Sequence, residues 1–223
     1  MTLTPAQRRS GAGRSVRADV LIGGDDVYED LFGVSDALAQ LLAENGMAAR
    51  VRVGTAALLE AAPDLVVLET AVADLSIERV DALVAAVSAG TSLLVVHAGA
   101  VLFESAPERR LAELIGARFL SHGPHPHGSR FRVEVDPDHP VTSGLAGFDV
   151  DHEHYLLEVA ADARPIAWRV TADGREPVAV VRDDAAGRIC YIQLGHDTRP
   201  FGEPAVRELL ERCVRWLTTP MED

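Results

Sequence analysis

Along the first half of the chain, short apolar runs alternate with stretches whose apolar residues recur at helical spacing. Residues 16–22 read as a buried strand running into Gly23 and Gly24, and residues 34–45 as a helix closed by Gly46. A second strand is expected over 48–53 and a short helix over 55–62, ending before Pro63. The run LVVLE at 65–69 reads as a third strand and SLLVVH at 92–97 as a fourth, followed by helices over 77–88 and 107–115 respectively. Strand–helix repetition of this kind implies a parallel sheet wrapped on both faces.

The pattern then changes. Residues 130–135, 153–159 and 166–170 read as strands with no helix between them, and 177–181 with 189–194 as a hairpin turning at 183–187. A last helix over 203–217 carries its apolar face on Val206, Leu209, Leu210, Cys213, Trp216 and Leu217. Residues 1–15 are polar, rich in Gly, Ser and Arg and without periodicity, and are expected to be a flexible tail. Neither an internal repeat nor a linker interrupts the rest, so 16–219 is expected to form a single domain.

Composition narrows the chemistry. All 21 basic residues of the 223 are Arg. With no Lys, a Schiff base, a pyridoxal-phosphate anchor and the lysine of a P-loop are all excluded. A net charge of -13 opposes nucleic-acid binding, which needs a basic surface. The apolar runs are too short to span a bilayer, and the Arg8–Arg9 pair is not followed by the apolar stretch of an export signal. Cys190 and Cys213 are too few for a disulfide framework. The expectation is a cytoplasmic protein whose partner is a small molecule, with self-association left open.

In open parallel sheets, ligands gather beyond the carboxyl ends of the strands. The first strand runs into Gly23-Gly24-Asp25-Asp26-Val27-Tyr28-Glu29-Asp30, which lacks the G-x-G-x-x-G spacing and sets negative charge where a pyrophosphate would sit. Asp25, Asp26 and Tyr28 are instead candidate contacts for a sugar, whose hydroxyls can donate to carboxylates; the two Asp could equally cap the next helix. His97 follows four apolar residues and precedes Ala98-Gly99, a junction that could hold a general base or a metal ligand. The loop Ser121–His127 carries His122, His125 and His127, either as ligands or as the rim of a cleft.

The alternating run Asp149–Tyr155, if extended, puts Asp149, Asp151, Glu153 and Tyr155 on one face and His152 and His154 on the other. Repulsion within that row of carboxylates is expected to raise at least one pKa, which suits acid/base work; of the row, Glu153, with the aromatic Tyr155 beside it, is the preferred functional residue. His196 ends the last strand and precedes Asp197, although neighbouring residues rarely form an oriented pair. Both cysteines read as buried packing residues.

The sequence His139-Pro140-Val141-Thr142-Ser143-Gly144-Leu145, the DVDHEHY run at 149–155 and Tyr191–Asp197 together resemble the ThuA-like family, named for trehalose utilisation. The strand ending in His97 and the stretch Gly116-Ala117-Arg118-Phe119…His122 resemble it too. The resemblance implies a flavodoxin-like, class I glutamine amidotransferase-like three-layer sandwich with a mostly parallel central sheet and extra C-terminal strands. It also implies a cleft containing His97, His122, Glu153 and His196. Amidotransferases need a Cys nucleophile where this chain has His97, so glutamine hydrolysis by the thiol route is excluded. At the end of the first strand, where many relatives are expected to carry a His, this chain reads Asp25-Asp26-Val27-Tyr28-Glu29.

The family's association with disaccharides and keto-sugars sets the leading expectation: a small enzyme of carbohydrate metabolism. His97, Glu153 and His196 are its candidate catalytic residues, and Asp25, Asp26, Tyr28, His122 and Tyr155 its substrate contacts. The alternatives are a non-catalytic sugar-binding or accessory protein, and a Zn-dependent hydrolase using His97, His122 or His125, and His196. The sequence assigns no cofactor; a divalent metal such as Zn is the one that the residue types could hold.

Overall fold

A computed structural model of the chain describes residues 15–24, 27–123, 129–172, 174–184 and 186–219. Asp25 and Asp26, His125 and His127, and the tail expected over 1–15 lie outside the described residues, apart from Ser15.

The chain forms an α/β fold around one nine-stranded sheet. β1 (Arg17–Gly24), β2 (Ala48–Val53), β3 (Leu65–Ala71) and β4 (Ser92–Val96) alternate with helices α1 (Leu31–Glu44), α2 (Ile77–Ser88) and α3 (Ala106–Ile115). The C-terminal half supplies β5 (Ala117–His122), β6 (Ser129–Val135), β7 (Phe148–His152), β8 (Tyr155–Val159), β9 (Arg164–Thr171), β10 (Gly174–Asp184), β11 (Gly187–Ile192) and α4 (Pro204–Thr218). The order across the sheet is β2-β1-β3-β4-β11-β10-β9-β6-β7, while β5 and β8 pair separately.

The first five strands in that order run parallel and the remaining pairings are antiparallel. The sheet is therefore half parallel rather than mostly so. The reason is connectivity: helical crossovers make parallel neighbours, and the short links of residues 129–192 make antiparallel ones.

Period two explains the packing of the parallel half. Val20, Leu65, Val67, Leu94, Val96, Cys190 and Ile192 point to the face covered by Leu38 of α1 and Leu209 of α4. Leu21, Val66, Leu68, Leu93, Val95, Ile189 and Tyr191 point to the face covered by Leu83 of α2 and Leu111 of α3. β3 and β4 are buried at every position, which is why both read as unbroken apolar runs.

Local signals set the helix ends. Asp30 caps α1 by accepting from the Gly33 N–H at 3.0 Å. A Ser105–Glu108 capping box opens α3, and Gly116 in the left-handed region closes it. The helix expected over 55–62 is a single 3-10 turn, Ala56–Leu59. Two strands absent from the sequence reading, β5 and β7, complete the sheets. No helix among the described residues is long and apolar enough to cross a membrane.

Candidate functional site

β1 and β4 end on one side of the sheet, and β11, parallel to β4, ends there too. Because Ile192 is in register with Val96, the residues that follow, Gln193 and His97, meet beyond the sheet. His97 begins a 3-10 turn, His97–Ala100, with φ of 40°, a left-handed backbone that non-glycine residues rarely adopt. This is the strand-to-turn junction expected from the sequence. A Cβ on Gly99 would lie 2.7 Å from Val95 Cγ1, so only glycine lets that turn fold back on β4.

The fully buried His97 ring is fixed at both nitrogens. Nδ1 lies 2.7 Å from the Gln193 carbonyl, so this nitrogen carries the proton and donates it. Nε2 faces two carboxylates, Glu153 Oε2 at 3.1 Å and Glu29 Oε2 at 3.5 Å. His196 Nδ1 meets the same two oxygens, at 3.0 Å from Glu29 and 3.4 Å from Glu153. The Tyr155 ring stacks on His97 with centroids 4.2 Å apart, and its hydroxyl donates to Glu29 Oε1 at 3.4 Å. His122 closes the cluster, its Nε2 3.3 Å from Glu153 Oε1.

The electrostatics follow from these contacts. Burial pushes the Glu153 carboxyl up, but the His97 hydrogen bond and the fields of His97, His196 and His122 outweigh it, leaving its pKa below the usual value. The hydrogen bond to Glu29 raises the pKa of His196 against the opposing effect of burial. Beneath them, both oxygens of the fully buried Glu69 carboxyl have no hydrogen-bond partner. Burial and then the fields of Glu29 and Asp30 drive its pKa far up, which favours the uncharged form.

His97, Glu153, His196, His122 and Tyr155 thus come together as the sequence suggested, and Tyr28 lines the mouth of the same cavity. The carboxylate row does not form. β7 ends at His152, and Asp149 and Asp151 stay exposed, facing Arg132 and Arg130. Glu153 lies in the link to β8 and turns inward, away from them, to the imidazoles that lower its pKa against the effect of burial. Asp197 pairs with Arg199 instead of orienting His196.

The sequence reading missed Glu29, His152 and Gln193 as site residues. Glu29 is buried beside the imidazoles, although it sits in the acidic run already marked at the end of β1. His152 is also buried; its Nδ1 donates to the Glu153 carbonyl at 2.6 Å, and its Nε2 accepts from the Gly195 and His196 N–H groups.

Glu29, His97, Glu153 and His196 each offer one ligand atom, all within 4.8 Å of one another. A tetrahedral ion bonded at about 2.0–2.1 Å separates its ligand atoms by roughly 3.4 Å. The His–Glu distances of 3.0–3.5 Å fit that spacing. The two carboxylate oxygens that face His97 Nε2 call for positive charge between them, either the Nε2 proton that hydrogen-bonds Glu153 or a cation in its place. A backbone carbonyl holding Nδ1–H, as Gln193 does, is the outer support usual for a metal-binding histidine.

The cluster floors a cavity of about 530 Å³, whose walls include Val72, Ala98, Val101, Phe103 and Phe119. The family described as ThuA, trehalose utilisation, matches residues 29–217. Crystal structures of thua-like proteins from Parabacteroides merdae and Bacteroides uniformis superpose with TM-scores of 0.76 and 0.74, each 17% identical. The first covers 92% of this chain and 91% of that one; the second covers 92% and 93%. A β-galactosidase from Rahnella sp. R3 is 13% identical with a TM-score of 0.65, matching 93% of this chain but 32% of that chain. At these identities the likeness shows the fold alone. No curated protein matches the sequence.

Proposed function

The chain belongs to the ThuA family, described as trehalose utilisation, and from that premise we propose that it is an enzyme of carbohydrate metabolism acting on a disaccharide or keto-sugar. Its reacting centre is the cluster of Glu29, His97, Glu153 and His196. The same proposal places a single domain over 16–219 in the cytoplasm, with a small sugar as its partner. The strand order β2-β1-β3-β4-β11 supports the finer reading of a flavodoxin-like, class I glutamine amidotransferase-like sandwich, with the cleft near the β1/β3 reversal of that order.

One observation carries the reading: His97 Nε2 and His196 Nδ1 converge on the same oxygens of Glu29 and Glu153 at the floor of a cavity. The two acids of a conventional glycosidase stand about 5 Å or more apart, on either side of the scissile bond. Glu29 and Glu153 instead meet at one point, which favours a centre that polarises a carbonyl or hydroxyl. The four residues suit a divalent cation of the zinc type, which would supply Lewis-acid polarisation there.

The remaining steps fall to the chain itself. Gln193 fixes the orientation of His97 and so aims Nε2 at the Glu29 and Glu153 carboxylates. Tyr155 holds Glu29 in place and covers the His97 ring. His122, about half exposed beside Glu153, is placed to pass a proton to or from a substrate atom above the cluster.

The test is turnover of a panel of disaccharides and their keto derivatives by the wild type and by His97→Asn, Asn being the side chain that best tolerates a left-handed backbone. A loss of about 10²-fold or more in kcat/KM with little change in Tm is expected. Saturable sugar binding with no product from any member of the panel would instead make the protein a non-catalytic sugar-binding module.

A further inference from the structure

The walls of the cavity differ in chemistry from its floor. The carboxylates and imidazoles lie at the bottom, whereas Val72, Ala98, Val101, Phe103 and Phe119 bring no side-chain hydrogen-bonding group. Among the described lining residues other than Glu29, Glu153 and His196, only Tyr28, His122 and Tyr155 have polar tips, the Tyr155 hydroxyl being taken up by Glu29, and there is no Arg, Asn, Gln, Ser or Thr. Among the described residues, the mouth is largely apolar and exposed. Phe103 is 52% exposed and Val72 54%, and the Tyr28 ring stands largely free of the fold. Val72 also has φ of 51°, an outlier for a β-branched residue, at the end of β3 on the cavity edge.

A hydroxyl pressed against such walls loses water without gaining a partner, and each one so placed weakens binding. A second sugar ring carries several. A flat apolar ring has no such penalty and gains from stacking against aromatic side chains. Resting on the sugar reading above, we propose that the substrate is a glycoside whose sugar sits over the floor cluster and whose aglycone is an aromatic ring held by Phe103 and Tyr28.

The experiment compares phenyl glucosides of both anomers with trehalose and cellobiose, by calorimetric titration of the intact protein. Wild type should bind a phenyl glucoside about tenfold or more tighter than either disaccharide, the margin that apolar burial and stacking supply. Phe103→Ser should erase most of that margin while changing disaccharide affinity less than about twofold. The Phe103 side chain is exposed, so the variant should fold as the wild type does. Equal or tighter binding of a disaccharide overturns the aromatic aglycone and leaves the sugar reading standing. Equal weakening of both ligand classes by Phe103→Ser overturns it in the same way. Binding of neither class overturns both.

Discussion

The ring of His152 receives the backbone N–H of His196 at 3.1 Å on Nε2, and through Nδ1 it donates to the carbonyl of Glu153 at 2.6 Å. Gly195 donates to the same Nε2 at 2.9 Å. One imidazole thereby joins the two segments that carry candidate ligands from opposite ends of the antiparallel half. It can accept from both N–H groups only while Nε2 is unprotonated; burial, with the field of His97, brings its pKa down to about 3.

Replacing this ring tests its positioning role. His152→Phe keeps the bulk but strands two buried N–H donors and one carbonyl, a loss of about 2–5 kcal/mol. For a chain of this size that corresponds to a fall in Tm of roughly 5–15 °C. A thermal melt within about 2 °C of wild type would show that water or a neighbour replaces the ring without loss.

His154 makes the fold sensitive to acid. Its Nδ1 accepts from Arg169, and its Nε2 lies 2.6 Å from Glu176 Oε2. Burial first, and then the charge of Arg169, lower its pKa from 6.5 to about 4. As pH falls the unfolded chain takes up this proton before the folded one does. The stabilisation is therefore complete above about pH 6.5, and about 3 kcal/mol of it is lost by about pH 4. Urea midpoints measured across that range should fall in wild type and fall less steeply in His154→Gln. Equal slopes in the two proteins would assign the acid sensitivity to other groups.

Glu69 predicts a gain rather than a loss. Its carboxyl is fully buried in β3 and makes no hydrogen bond. Glu69→Met keeps the length, removes the unmatched polar atoms and should raise Tm by roughly 2–5 °C. A lower Tm would mean that a buried water or an ion satisfies the carboxyl in solution.

The fold was largely legible in the sequence, because the parallel strands are apolar on both faces and their helices carry clear start and stop signals. β7 was less so: its Asp149 and Asp151 alternate with buried Val150 and His152, and the periodicity continued past the true strand end into Glu153. At the site, His97 and His196 were found because strand-end chemistry marks them. Glu29 was marked only as part of an acidic run, since the capping role of Asp30 and the burial of its neighbour depend on how α1 docks. His152 was invisible as a positioning residue because its three backbone partners, at Glu153, Gly195 and His196, come together only through tertiary structure.

We propose that Glu29, His97, Glu153 and His196 form one cation-binding reacting centre. Its most direct test is the metal content of untagged protein, purified without chelators and dialysed after exposure to zinc, manganese or iron. About one tightly held ion per chain is expected, with affinity reduced about tenfold or more in His97→Asn and in Glu153→Gln while both variants stay folded. Wild-type protein that retains none of the three metals after dialysis, or variants that retain as much as wild type, would contradict it.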